Sequence, residues 1–176
     1  MARRLATLAG CAACTVALLA GGCSAAEERG GARGTVGYTV TAPAGWEDIT
    51  RQVEEDSGAG LDVAYGGPKA GGARMNVNIA RRDAGSGASL ERLVRDGRAE
   101  VDELGGGKID FTPDVRTEID GAPALRYDFR TNGNTVRQVG AVHEGGFYVV
   151  TLTAPTPAFR KGVAKLEGML RSWQWD

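Results

Sequence analysis

Ala122-Pro-Ala-Leu-Arg-Tyr-Asp-Phe-Arg130, Asn132-Gly133, Thr135-Val-Arg-Gln-Val-Gly-Ala-Val-His143, Glu144-Gly145-Gly146, Phe147-Tyr-Val-Val-Thr-Leu-Thr-Ala154: this stretch decides the fold. The long runs follow the period of two that marks β-strands, and the short insertions are made of residues that tolerate positive φ, as tight hairpin turns require. Just upstream, Asp120-Gly121 supplies a third such turn and Ile109–Ile119 a fourth strand-like run. Four runs joined by three tight turns predict an antiparallel meander.

Amphipathic helices flank it. Downstream, Thr156-Pro157 is a cap followed by proline at a first helical position, and Phe159, Val163, Leu166, Leu170 and Trp173 fall on one stripe. Upstream, Ser89 is an N-cap, Leu90, Leu93, Val94, Val101 and Leu104 share a face, and Gly105-Gly106-Gly107 stops the helix. Further back, Val36, Tyr38 and Val40, then Leu61, Val63 and Tyr65, then Met75, Val77 and Ile79 form three more alternating runs. Pro43-Ala-Gly-Trp46 turns the chain after the first, and Glu47–Gly60 has no clear period, with room for a weak strand. The prediction is one α+β domain over residues 35–176: an antiparallel sheet of about seven strands carrying two amphipathic helices.

Residues 1–22 have a different character. Arg3 and Arg4 open the chain, Leu5 to Ala20 is an uncharged, mostly apolar run, and Gly21-Gly22 precedes Cys23. That is signal-peptide anatomy, and the apolar run is short for a permanent span, which needs about 20 residues. Leu19-Ala20-Gly21-Gly22-Cys23-Ser24 resembles a lipobox, where slim residues admit the peptidase and the thiol carries a diacylglycerol. Ala20 stands where such boxes most often have Leu. Leu8-Ala9-Gly10-Cys11 matches the pattern better, but leaves too few residues ahead of it for a charged start and an apolar run. Cleavage between Gly22 and Cys23, acylation of Cys23 and a flexible tether over residues 23–34 are therefore expected. The chain is expected on the extracytoplasmic face of the cell membrane, held there by lipid.

Charge and cysteine content narrow the function. Without residues 1–22 the chain has 19 basic and 22 acidic residues, a net charge of −3. That balance argues against nucleic acid or a strongly anionic surface as partner. Cys11-Ala-Ala-Cys14 has redox spacing but lies in the leader, so Cys23 alone remains and no internal disulfide can form. The basic residues are 17 Arg and 4 Lys, and Gly reaches 27, as a GC-rich genome such as that of a high-GC Gram-positive bacterium would encode.

Three segments point to a family. Tyr38-Thr-Val-Thr-Ala-Pro43-Ala-Gly-Trp46, Ala122-Pro-Ala-Leu-Arg-Tyr127, and Phe147-Tyr-Val-Val-Thr-Leu-Thr-Ala-Pro155 leading into a terminal helix resemble the Mog1/PsbP-like superfamily, over roughly residues 35–176. In character they are similar to its lipoproteins of the LpqN and DcrB type. The resemblance implies a sandwich fold. Relatives of this kind mostly bind other proteins and share no reaction, so it carries fold more than function.

Little in the sequence points to catalysis. His143 is the single histidine, at a predicted hairpin tip beside Glu144. A hydrolase-type site pairing it with a carboxylate is the alternative reading, and an exposed turn residue is the plainer one. HExxH, GxSxG and P-loop patterns do not occur, and no cofactor or metal is implied. Glu54-Glu55-Asp56 reads as a solvated loop before it reads as a calcium cluster. Trp46 and Trp173 read as core anchors, and Trp175 as the freest of the three tryptophans.

The strands offer one candidate binding surface. Asn76 and Asn78, with Arg126, Asp128 and Arg130, alternate with apolar positions. If helices cover only one face of the sheet, these polar residues form a row on the other. Such a row could hold a peptide, carboxylate or phosphate through guanidinium contacts, or simply be solvated. The expected function is a non-catalytic binding or adaptor module of the cell envelope, for an envelope protein or a small ligand.

Overall fold

In a computed structural model of the chain, the described residues are 32–35, 37–58, 60–70 and 73–176. The expected leader, with Gly22, Cys23 and most of the expected tether, lies outside them. The tether ends earlier than expected, because Ala32–Thr35 already forms a strand, β1.

Sequence periodicity and turn chemistry build the central sheet. Its strands are β3 (Glu47–Asp48), β4 (Leu61–Ala70), β5 (Ala73–Asp83), β6 (Val115–Ile119), β7 (Ala122–Thr131), β8 (Asn134–His143) and β9 (Gly146–Pro155). All pair antiparallel, in the order β3-β4-β5-β9-β8-β7-β6. The three predicted turns have consecutive positive φ angles at Asp120-Gly121, Asn132-Gly133 and Glu144-Gly145, the twist that closes two-residue hairpins. Of the run Ile109–Ile119 only the second half is a strand. Phe111 instead bridges to Phe129, and Thr112 exchanges hydrogen bonds with the Asp128 backbone, covering the part of β7 that β6 does not reach.

Three helices pack on this sheet, one more than expected. α1 (Thr50–Ser57) occupies the segment read as irregular. α2 (Leu90–Leu104) is capped by the Ser89 hydroxyl, which accepts from the Arg92 N–H at 3.2 Å. α3 (Phe159–Arg171) follows a single 3₁₀ turn at Thr156–Ala158, so the Thr156-Pro157 signal opens that turn. α1 rests on β4 and α2 on β7 and β8, on one face of the sheet. On the other face α3 rests on β8 and β9, beside a small sheet of β1, β2 (Tyr38–Thr41) and β10 (Gln174–Trp175). The sheet therefore has helices on both faces, and no side of it is left wholly to solvent.

Two cores result. Val94 and Val101 of α2 pack on Leu125, Tyr127, Phe129, Val136 and Phe147 of the sheet. Leu166 and Met169 of α3 share the other core with Val77, Ile79, Val139, Val150 and Leu152 of the sheet, extended by Tyr38, Trp46 and Trp173. Trp46 and Trp173 are core residues as read. Trp175 is the least buried of the three, as expected, but it is held in β10 with its indole N–H donated to the Ile119 carbonyl at 2.8 Å.

Candidate functional site

The register divides the expected binding row between two faces. Asn76 lies opposite Thr153, which lies opposite Val136 and then Phe129. Asn78 continues likewise through Thr151 and Gln138 to Tyr127. Side chains opposite one another in a ladder share a face, so Asn76 and Asn78 are on the α2 side. Arg126, Asp128 and Arg130 alternate with those aromatics and are on the α3 side. The single row of five does not exist.

On the α2 side the row is a bonded network. The Tyr127 hydroxyl donates to Gln138 Oε1, and Gln138 Nε2 donates to Thr151 Oγ1 at 3.2 Å. Gln138 and Thr151 are buried, and burial pushes the Tyr127 phenol well above its usual range. Buried polar groups bonded to one another in this way specify packing. Asn76 and Asn78, half-buried, flank this network.

On the α3 side Asp128 is committed too. Its carboxylate takes both Arg137 Nε and Nη2 at 2.8 Å, and the Arg137 guanidinium lies 5.4 Å from the Phe159 ring centre. The hydrogen bond to Asp128 raises the Arg137 pKa further, so the guanidinium stays charged. Arg126 is half-buried farther along β7.

Arg130, by contrast, is exposed and opens onto a cleft of about 550 Å³. Lys108 and Asp110 line it from the loop after α2, Phe111 and Phe159 flank it, and Arg160 enters from the start of α3. The hydroxyls of Thr135 and Thr156, 3.0 Å apart, add polar groups to the wall. With Asp128 neutralised by Arg137, three cations face one carboxylate, Asp110. The cleft can therefore take an anionic group by guanidinium and ammonium contacts, with aromatic surface beside it. Sequence reasoning found Asp128 and Arg130 but missed Lys108, Phe111 and Arg160. Phe159 lies on the helical stripe of α3. No local signal joins residues so far apart in the chain.

His143, at the end of β8, is half-buried, with its ring stacked on Trp175 at 4.4 Å. It is a packing residue more than an exposed turn residue, and it is absent from the cleft lining. Glu54 accepts the backbone N–H groups of Gly60 and Leu61, closing the α1–β4 loop. Among the described residues no group of three or more His, Cys, Asp or Glu could hold a metal ion.

This architecture is a PsbP-like α+β sandwich. No protein-family model and no curated protein matches the sequence. Solved structures do match in fold. The cyanobacterial PsbP protein CyanoP of Synechocystis sp. PCC 6803 aligns with a TM-score of 0.63 at 13% identity, over 89% of this chain and 98% of its own. LpqN of Mycobacterium tuberculosis, described as involved in cell envelope biogenesis, aligns with a TM-score of 0.53 at 10% identity, over 85% of this chain and 86% of its own.

Proposed function

We propose that this chain is a lipid-anchored, extracytoplasmic protein of the cell envelope whose domain is a non-catalytic binding or adaptor module. The observation that carries the binding reading is the cleft that gathers Lys108, Arg130 and Arg160 beside Phe111 and Phe159. A cationic recess with aromatic walls suits a carboxylate or phosphate on an envelope protein or small ligand. The stacking of His143 on Trp175 also favours packing over proton transfer for that ring. Anchoring rests on the Gly22-Cys23 boundary after the apolar run. An envelope setting accords with LpqN, which shares the fold.

Two measurements test the reading. Mass spectrometry of the membrane fraction should find a mature chain beginning at an acylated Cys23, and Cys23→Ser should abolish acylation and cleavage. An intact, unacylated wild-type chain contradicts the anchor. Affinity capture from detergent-solubilised envelopes should recover a partner that Arg130→Ser and Arg160→Ser lose while their melting is unchanged. A partner retained by both variants contradicts the cleft.

A further inference from the structure

A second groove, of about 570 Å³, opens on the α3 side. Ala44, Gly45 and Trp46 form one wall, the Gly66–Lys69 segment of β4 with Arg74 and Met75 of β5 another, and Lys161 and Lys165 of α3 the third. The chain has four lysines, and three of them, Lys69, Lys161 and Lys165, line this groove. All three are exposed. Lys165 Nζ donates to the Ala44 carbonyl at 3.2 Å, leaving further donors, and among the described residues Lys69 and Lys161 make no ion pair.

The groove is built around two missing side chains. A Cβ on Gly67 would sit 2.5 Å from the Trp46 ring, and one on Gly66 would sit 2.5 Å from Arg74 Nε. Arg74 uses this space to lie along the strand, donating to the Gly67 and Gly66 carbonyls at 3.0 and 3.2 Å and pairing with Glu47. Glu47 is the single acid in the lining, so four cations face one carboxylate in a chain of net negative charge.

Its position in the fold matters as much as its charge. Ala32, the first described residue, pairs with Thr41, and the chain then runs from Thr41 directly into the Ala44–Trp46 wall. The path towards Cys23 thus leaves the domain beside the groove. Eight residues separate Cys23 from Ala32 and span at most roughly 30 Å.

We propose that this groove is a headgroup site: its lysines take the phosphate of an anionic phospholipid in the membrane to which the chain is tethered, fixing which end of the domain faces the bilayer. Ammonium groups are compact, strongly hydrated charges suited to phosphate, and basic residues near an anionic surface add their attractions. The site rests on the anchored reading for its setting, whereas its affinity for phosphate does not.

The test uses the mature-length chain, residues 23–176 with Cys23→Ser, which holds every described element and has no acyl chain. It should sediment with phosphatidylglycerol-containing vesicles and not with pure phosphatidylcholine vesicles. Lys69→Gln, Lys161→Gln and Lys165→Gln should each weaken binding about five-fold, the factor matching roughly 1 kcal/mol per basic residue at an anionic surface. Arg95→Gln, at an exposed position of α2, should leave it unchanged. Equal sedimentation with both vesicles, or equal losses from Arg95→Gln and the lysine variants, overturns the proposal. Binding of glycerol phosphate without vesicle binding overturns the headgroup assignment. Acylation of Cys23 is read separately by mass spectrometry, so a failed anchor and a failed groove give different results.

Discussion

Removing the Asp128 carboxylate with Asp128→Ala should destabilise the domain by about 2 kcal/mol. The pair it breaks is bidentate, with both contacts at 2.8 Å between residues directly opposite on β7 and β8. The Arg137 and Asp128 side chains are 13% and 22% exposed. A fully buried pair loses roughly 3–5 kcal/mol when one partner goes, because the other charge is stranded, whereas an exposed pair is worth about 0–1 kcal/mol. These exposures lie between the limits. The backbone bonds of Asp128 to Thr112 survive the substitution, so the loss is electrostatic. Arg137→Met keeps an apolar stem against Phe159 and should cost about 1 kcal/mol, and the double variant little more than either single one. The cycle should therefore give a coupling of about 1 kcal/mol. Thermal and urea melting measure it, with roughly 2–4 °C of Tm for each kcal/mol at this size. A coupling below about 0.5 kcal/mol would show an ordinary solvated pair, and Asp128 would return to the list of groups free to bind a ligand.

Three further outcomes follow from the same geometry. Phe129→Ala, removing a ring that is 2% exposed, should cost about 3 kcal/mol or more, and half-buried Arg126→Ser no more than about 0.5 kcal/mol. The reverse order in thermal melting would move the strand register by one residue. Burial lifts the Asp62 carboxyl above its usual value, against the pull of Arg81 and the Tyr38 hydroxyl. The native state therefore holds that proton more tightly than the unfolded chain, and stability is lost as pH rises through the raised value. Asp62→Asn should raise Tm at pH 7, with the gain shrinking in acid below the ordinary carboxylate pKa. A gain independent of pH would show that desolvation of the charge is not its source. Gly67→Ala, which drives a methyl into the Trp46 ring, should cost about 1–3 kcal/mol, and an unchanged melting curve would contradict the close packing described at the groove.

The meander was legible because its determinants are local. Asn132-Gly133 needs two positive φ angles wherever it sits, and a period of two survives any packing. The N-cap at Ser89 and the stripe of α3 are equally local, and the family resemblance drew on the same short segments. α1 was missed because among its eight residues only Val53 is buried, too little to mark a face. Which face a polar residue occupies is not local. Asn76 and Asp128 both alternate with apolar neighbours, but the order β5-β9-β8-β7 puts Asn76 in register with Phe129, one residue from Asp128. Sharing a side required knowing the ladder, and being covered required knowing that α2 and α3 pack on opposite faces. Charge behaved in the same way. The balance of −3 without residues 1–22 argued against a strongly anionic partner, because composition averages over the surface. Chain reversal then brought Lys69 from β4 beside Lys161 and Lys165 from α3, concentrating cations that the sequence spreads over nearly a hundred residues. Turns, caps and periods were fixed by neighbours in the chain, whereas clefts, faces and local fields were decided only once distant segments met.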